Sequence, residues 1–485
     1  MSSDSHGATG ATRSEKDSLG TKEIPAQVYY GIQTARAVEN YPISGMRAHP
    51  TLIRAIGMVK EAAAEANREL GLVDEKVANA IIQSAKEVQQ GKWNSEFVVD
   101  VFQAGAGVSF HMNSNEVIAN RALEILGGKL GDYSKVHPND HVNYGQSTND
   151  VFPTSMRLAT LLELEKLYPA LDSLISALEK KGMEFHDILK SGRTHMQDAV
   201  PMRLGQEFTA YAGAIRRCKD AIRTSADLLR ELGLGGSAVG TGINTHPHYR
   251  EKAIANLSRI SSQKLIPVDD MRYAMQSNLA MAAVSSALRN LALEVIRISN
   301  DLRMLSSGPN TGFAEINLPA LQPGSSIMPG KINPVIPELA AMVSFQVIGN
   351  DVAVAMAVQG GQLELNVMMP TMAYSVLQSI TISTNMLRQF TEKCVAGITA
   401  NNNRCNFYVQ ATVSLATALN PYIGYAKAAE IAKEAVATGR SIIEIAREKK
   451  LLSEKEINEI LDPVRMTEPV RPLDSAKKRE EIKAK

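Results

Sequence analysis

AMQSNLAMAAVSSALRNLALEVIRISNDLRML, residues 274–305, sets Val284, Ala287, Leu291, Val295, Ile298, Leu302 and Leu305 in steps of three and four. Side chains at those intervals stack along one face of an α-helix, so the stretch reads as a long amphipathic helix. Four more runs have the same period: Met156–Leu178, Gln206–Leu232, Ile336–Val358 and Met372–Ala396. In the first of them Leu158, Leu161, Leu164, Tyr168, Leu171, Ile175 and Leu178 share a face, and Pro169 marks the place for a kink. Helices of this length are built to pack on one another. The expected fold is all-α, with a long central helical bundle over 147–400 flanked by two smaller, mostly helical domains at 14–146 and 401–485. Leu279–Val284, Leu339–Val347 and Val352–Val358 are apolar or small nearly all round. A helix without a solvated face is buried by more than its own bundle, so bundles from several copies are expected to pack into one oligomeric core.

Composition narrows the function. The 485 residues are 44% hydrophobic and 21% charged, as in ordinary globular proteins. Lys plus Arg is 52 against 51 Asp plus Glu, a net charge of +1 that lacks the electrostatic footprint of a nucleic-acid binder. Cys218, Cys394 and Cys405 form no CxxC pair and suit a reducing compartment. Residues 1–13 are rich in Ser, Gly, Ala and Thr without an apolar core, so they read as a disordered tail and not as a signal peptide. Leu279–Ile298, the most apolar stretch, is interrupted by Ser285, Ser286, Arg289, Asn290 and Glu294, against a membrane span. A cytoplasmic protein with a solvated charged end, Lys477–Lys485, is expected.

Four small, polar, Gly-containing islands break the helical pattern: GAGVSFHMN (105–113), GQSTND (145–150), GRTHMQD (192–198) and GSSIMPGKINP (324–334). Their hydroxyls, amides and cations beside a close-approaching backbone suit the binding of a small anion. The last island is not a phosphate-binding loop, because five residues separate Gly324 from Gly330 and Ile332 follows Lys331. Gly233, Gly235, Gly236, Gly240 and Gly242 do not spell the dinucleotide fingerprint. His137 and His141 have the spacing of metal ligands, but Pro138 lies between them and no thiol or carboxylate completes a set, so no metal site is expected.

GSSIMPGKINP resembles the signature of the aspartase/class II fumarase superfamily. The other islands resemble its remaining active-site segments, in the same order, and the similarity runs from about Arg13 into the 460s. The resemblance implies a homotetramer whose active sites are shared between subunits. It also implies cleavage of a C–N or C–O bond in a small dicarboxylate, with release of fumarate and no cofactor. Such chemistry needs two anion sites, a strong base, and donors for the charge that builds on one carboxylate.

By the same resemblance Ser325 is the base, on a closing loop with Ser326 beside it. A hydroxyl is a weak base, so the alkoxide would need support from backbone N–H groups of the loop and from Lys331. Lys331 and Asn333 are implied to clamp a carboxylate in a dry site. Thr194 and His195 are implied to stand near the leaving group. Ser147, Thr148 and Asn149 would take the second carboxylate and the leaving heteroatom. Glu338 matches an acid that pairs with the active-site His in fumarases, though it also suits the first turn of a helix. Two positions depart from the family pattern: Val108 stands where Thr is usual, and His111 where Asn is usual. Ser109 or His111 would then supply the missing contact, or the substrate differs. QSTND (146–150), QLELN (362–366) with Val367-Met368, and YYGIQT (29–34) are similar to aspartate ammonia-lyases, whereas TGINTHP (241–247) and YAKAAE (425–430) are similar to fumarases. The segments closest to the substrate favour elimination of ammonia from L-aspartate. A hydratase acting on L-malate and fumarate, or a lyase for another succinyl compound, stays open.

Overall fold

The computed structural model describes residues 10–450 and 452–469. The charged end Lys477–Lys485 and the first nine residues of the expected tail lie outside them. The rest of that tail is ordered: Thr12 and Arg13 open β1 (Thr12–Asp17), which pairs antiparallel with β2 (Gly20–Pro25). Arg13 Nη1 donates to the Pro25, Ala26 and Val28 carbonyls at 3.2, 3.0 and 2.7 Å, and Nη2 to Tyr30 at 2.7 Å. One half-buried guanidinium therefore gathers the chain that leaves the hairpin.

The remainder is mostly helical, as expected. In order come α1 (Ile32–Asn40), α2 (Pro50–Glu69), α3 (Glu75–Gln89), α4 (Val108–Ile125) and α5 (Thr148–Glu184). The hairpin β3 (Leu189–Thr194) and β4 (Gln197–Arg203) leads into α6 (Leu204–Asp227), α7 (Tyr249–Ser261), α8 (Met271–Gln276) and α9 (Leu279–Leu305). Then follow α10 (Val335–Gln359), α11 (Met369–Lys393), α12 (Asn402–Ala411) and a set of short C-terminal helices.

Two details refine the periodicity. Helix α5 continues through both Pro153 and Pro169 for 37 residues. Leu167, Leu171 and Leu174 are wholly buried around the second proline, and that packing outweighs one lost N–H donor. The 274–305 run is two helices, because Ser277 is extended (φ −109°, ψ 127°) in the polar Gln276-Ser277-Asn278 break.

The chain divides into two compact units. One is drawn from Met1–Pro169, Cys218–Ala292 and Val343–Asn385, the other from Ala170–Arg217, Leu293–Met342 and Met386–Lys485. The first is centred on the packed α2, α3 and α4, with Ile53, Ile56, Val59, Ile81, Val117 and Ile118 buried. The second is centred on Leu178, Phe185, Phe208, Ile298, Leu302 and Phe390. Its C-terminal helices close around Leu415, Leu419, Ile431, Ile445 and Ile457. Capping boxes Ser441–Glu444 and Ser453–Glu456 start two of them.

Helices α9 and α10 have the length and hydropathy of membrane spans. Polar pairs inside them argue for protein packing: Asp351 of α10 bonds Ser285 (2.7 Å) and Arg289 (3.0 Å) of α9, and Asn350 bonds Gln378 (2.9 Å) and Ser379 (3.0 Å). Along α10, Met342, Phe345, Val352 and Met356 are 58–60% exposed, with Gly349 between them on the same line. Steps of three, four, three and four make this a heptad seam, the pattern with which one helix meets another.

Candidate functional site

In the first unit the 145–150 island is the start of α5. Ser147 Oγ accepts from Asn149 N at 3.2 Å, and Asp150 Oδ1 accepts from Ser147 N at 2.9 Å, a reciprocal helix cap. Asp150 Oδ2 accepts from Gly235 N (2.9 Å) and Ser237 N (3.1 Å), and Asn149 Nδ2 donates to the Ala238 carbonyl at 2.7 Å. The Gly-rich segment that matched no nucleotide motif thus ties down the island. Glycine is required at 240, where φ is +86° and a Cβ would lie 2.5 Å from the Arg272 nitrogen. Burial pushes the Asp150 carboxyl up to about 6 against the pull of its backbone donors.

Behind the island runs a buried polar chain. Thr148 Oγ1 lies 2.7 Å from His111 Nδ1, and His111 Nε2 lies 2.8 Å from Lys60 Nζ. Lys60 also donates to Asn143 Oδ1 (3.0 Å) and Gln146 Oε1 (2.8 Å). Desolvation holds both the Lys60 ammonium and the His111 imidazolium well below their ordinary values. His111 therefore touches a site hydroxyl, where the sequence left its contact open. Ser109 is buried two residues earlier on α4. With the exposed Val108 it lines a cavity of about 640 Å³ that also holds Arg36, Glu116 and Tyr133.

In the second unit the 192–198 island is a tight hairpin. Thr194 pairs with Gln197, leaving His195 (φ 54°) and Met196 (φ 61°) as its two-residue turn. Two adjacent left-handed non-glycine residues are costly and mark a turn held by its surroundings. The hold is visible one residue back. Arg193 bonds the fully buried Glu315 at 3.1 and 3.0 Å and stacks on Phe313 (4.3 Å) and Tyr408 (4.9 Å). Lys190 adds a contact to Glu315 at 3.3 Å and to Glu207 at 2.7 Å. The result presents Thr194 and His195, both exposed, on a rigid arm.

The signature forms a loop pinned at its neck. Gly324 N donates to the Lys331 carbonyl, and Asn333 Nδ2 donates to the Gly324 carbonyl, both at 2.7 Å. Within it Ser325 Oγ accepts from Ile327 N (3.2 Å) and Met328 N (2.9 Å), the backbone support an alkoxide at Ser325 requires. Ser326 is exposed beside it. Lys331, Asn333 and Glu338, the last in the first turn of α10, line a cavity of about 740 Å³ with Met196, Asn300 and Arg303. Lys331 is exposed in the single chain, as are its neighbours Met328 and Ile332.

Sequence reasoning passed over Lys60, Asp150, Arg193 and Glu315. Lys60 did leave a signal: a charge one turn after Ile56, on the stripe of α2 that carries the core. His137 and His141 use their ring nitrogens on backbone, accepting from Asn139 N and His137 N at 3.1 and 2.9 Å. Among the described residues no group of three or more His, Cys, Asp or Glu could hold a metal ion.

Comparison with known proteins gives the family. Residues 20–349 match a family model described as Lyase, and residues 415–468 one described as Fumarase C C-terminus. An aspartate ammonia-lyase of Bacillus subtilis (strain 168) is 49% identical over 457 residues, 94% of this chain and 96% of that protein. The crystal structure of a fumarate lyase:delta crystallin from Brucella melitensis bound to cobalt superposes with a TM-score of 0.92 at 49% identity, covering 95% of this chain and all of that one. A class II fumarase from Schistosoma mansoni superposes at 0.93 with 37% identity and the same coverage. The chain belongs to the aspartase/class II fumarase family of lyases.

Proposed function

We propose that this chain eliminates ammonia from L-aspartate to give fumarate, with Ser325 as the base. The observation that carries the proposal is the Ser325 hydroxyl held by two backbone N–H donors in a neck-pinned loop. The near-full-length similarity to an aspartate ammonia-lyase supports the choice of substrate.

In this reading the Ser325 alkoxide takes a proton from the carbon beside one carboxylate. The electron pair moves onto that carboxylate, which becomes doubly charged, then returns to form the double bond as the ammonium group leaves from the neighbouring carbon. Lys331 supplies a point charge to the loaded carboxylate. Asn333 spends one amide hydrogen on the loop neck and keeps the other for the substrate. Thr194 and His195 stand by the leaving group, with Ser326 at the loop and Glu338 supporting the cavity wall. Ser147, Thr148 and Asn149 hold the second carboxylate; Ser109, which lines the cavity with Arg36, Glu116 and Tyr133, is left out of that contact. No step calls for a metal or an organic cofactor.

A homotetramer with shared sites completes the proposal. It is supported by the exposed heptad seam of α10 and by the exposure of His195, Lys331 and Ser326 in a single chain. A cytoplasmic setting fits the buried thiols of Cys394 and Cys405. The fumarase-like segments and Val108, whose side chain offers no hydrogen bond, favour a second reading as a hydratase or a lyase for another succinyl compound. Absorbance near 240 nm, where fumarate's conjugated double bond appears, separates them. A rise with L-aspartate is expected; a rise with L-malate alone replaces the ammonia-lyase with the hydratase.

A further inference from the structure

We infer that Lys60 and His111 are positioning residues that turn the Thr148 hydroxyl outward as a hydrogen-bond donor for the substrate carboxylate. The inference rests on the proposed role of Thr148 and extends it to two residues that touch no substrate.

The polarity of the chain follows from counting hydrogens. Desolvation works against the charge on Lys60, the nearby Asp150 carboxylate works for it, and three groups able to accept surround Nζ within 3.0 Å, His111 Nε2, Asn143 Oδ1 and Gln146 Oε1; we take Lys60 as an ammonium with one hydrogen for each. The two amide oxygens face Lys60 because their nitrogens are committed elsewhere. Asn143 Nδ2 donates to the Gln146 carbonyl at 3.2 Å, and Gln146 Nε2 donates to the Val142 and Tyr144 carbonyls at 3.1 and 3.3 Å. His111 Nε2 therefore receives a hydrogen, and the ring proton sits on Nδ1. That N–H points at Thr148 Oγ1 at 2.7 Å, so the hydroxyl accepts on its inner side. Its own hydrogen is left to point away from the histidine. A carboxylate only accepts, so a site for one needs donors aimed at it.

Charge supports the same conclusion. Lys60 is fully buried and its three hydrogen-bond partners are all neutral. Asp150, on α5, is the carboxylate that acts on it from nearby, and it is occupied by Ser147, Gly235 and Ser237. A buried cation without a contact anion is costly, and an anionic guest at Thr148 offsets that cost. The chain also explains how His111 stands where the family pattern has Asn. An asparagine can accept from Lys60 with its oxygen and donate to Thr148 with its nitrogen, which preserves the polarity.

The test uses the full-length protein and fumarate release from L-aspartate, with succinate as a competitive probe. Turnover by the parent protein tests the proposed reaction; the variants test this inference. Lys60→Met and His111→Phe should each raise KM for L-aspartate and Ki for succinate about 10- to 100-fold, while kcat stays within about threefold. The double variant should be no worse than either single one, and His111→Asn should keep KM within about threefold of the parent. Unchanged KM in His111→Phe, or an equal loss in His111→Asn and His111→Phe, overturns the inference. Should Lys60→Met fail to assemble, ring-15N spectra of the parent decide. The histidine signal missing from His111→Asn must report a proton on Nδ1; a proton on Nε2 overturns it.

Discussion

Replacing Gly324 with alanine puts a methyl 2.6 Å from the Lys331 carbonyl oxygen and 2.8 Å from the Asn333 nitrogen. Both are backbone atoms at the loop neck, and neither can swing aside as a side chain could. Ordinary contact at such a carbon begins at 3.4 Å, so the two strands of the neck must part by about 0.8 Å. That parting stretches the 2.7 Å bond between Gly324 N and the Lys331 carbonyl and carries the adjacent Ser325 with it. A misplacement near 1 Å costs about 100-fold in a reaction that depends on alignment. The fold should not notice, because the loop is largely exposed and the lost neck bond is worth about 1 kcal/mol. The expected result is kcat down by about 100-fold, with the melting temperature within a few degrees of the parent. Steady-state kinetics at 240 nm beside a thermal melt reads both. A kcat within threefold of the parent would refute the idea that the neck sets the position of Ser325.

Phe345→Glu places a charge in the middle of the exposed α10 seam, where Phe345 is 58% exposed in the single chain. Light scattering should show assemblies smaller than a tetramer, and an intact tetramer would remove the seam from the interface. Asp150→Asn tests the buried carboxyl whose value burial lifts from 3.8 to about 6. A raised folded-state value stabilises fully below pH 3.8 and is lost as pH climbs through about 6. The parent should therefore lose about 3 kcal/mol relative to Asp150→Asn between those limits. Urea unfolding at a series of pH values measures it, and a pH-independent difference between the two proteins contradicts the assignment.

The helices were legible because their apolar residues keep a 3.6-residue period over many turns, and α6, α9, α10 and α11 lie where that period put them. Their ends were less legible. Proline at 169 removes a donor, yet the helix is carried past it where Leu167 and Leu171 are buried, and a long-range effect of that kind leaves no local mark. The polar islands were visible as breaks in the pattern, but their shapes were not. His195 and Met196 occupy a left-handed turn that Asn-Gly would ordinarily announce, so nothing local marked the hairpin. Arg13 shows the same limit in reverse: within a Ser- and Gly-rich start, its four carbonyl partners lie 12 to 17 residues ahead. Lys60 and Thr148 are 88 positions apart, and only the packing of α2, α4 and α5 joins them through His111.

Turnover of Ser325→Ala, set beside its state of assembly, tests the central claim most directly. The variant keeps the loop neck, since neither pinning bond uses the serine side chain. It should remain tetrameric and release fumarate from L-aspartate at least about 1,000-fold more slowly than the parent. A correctly assembled Ser325→Ala protein with turnover within tenfold of the parent would take the base away from Ser325 and contradict the account.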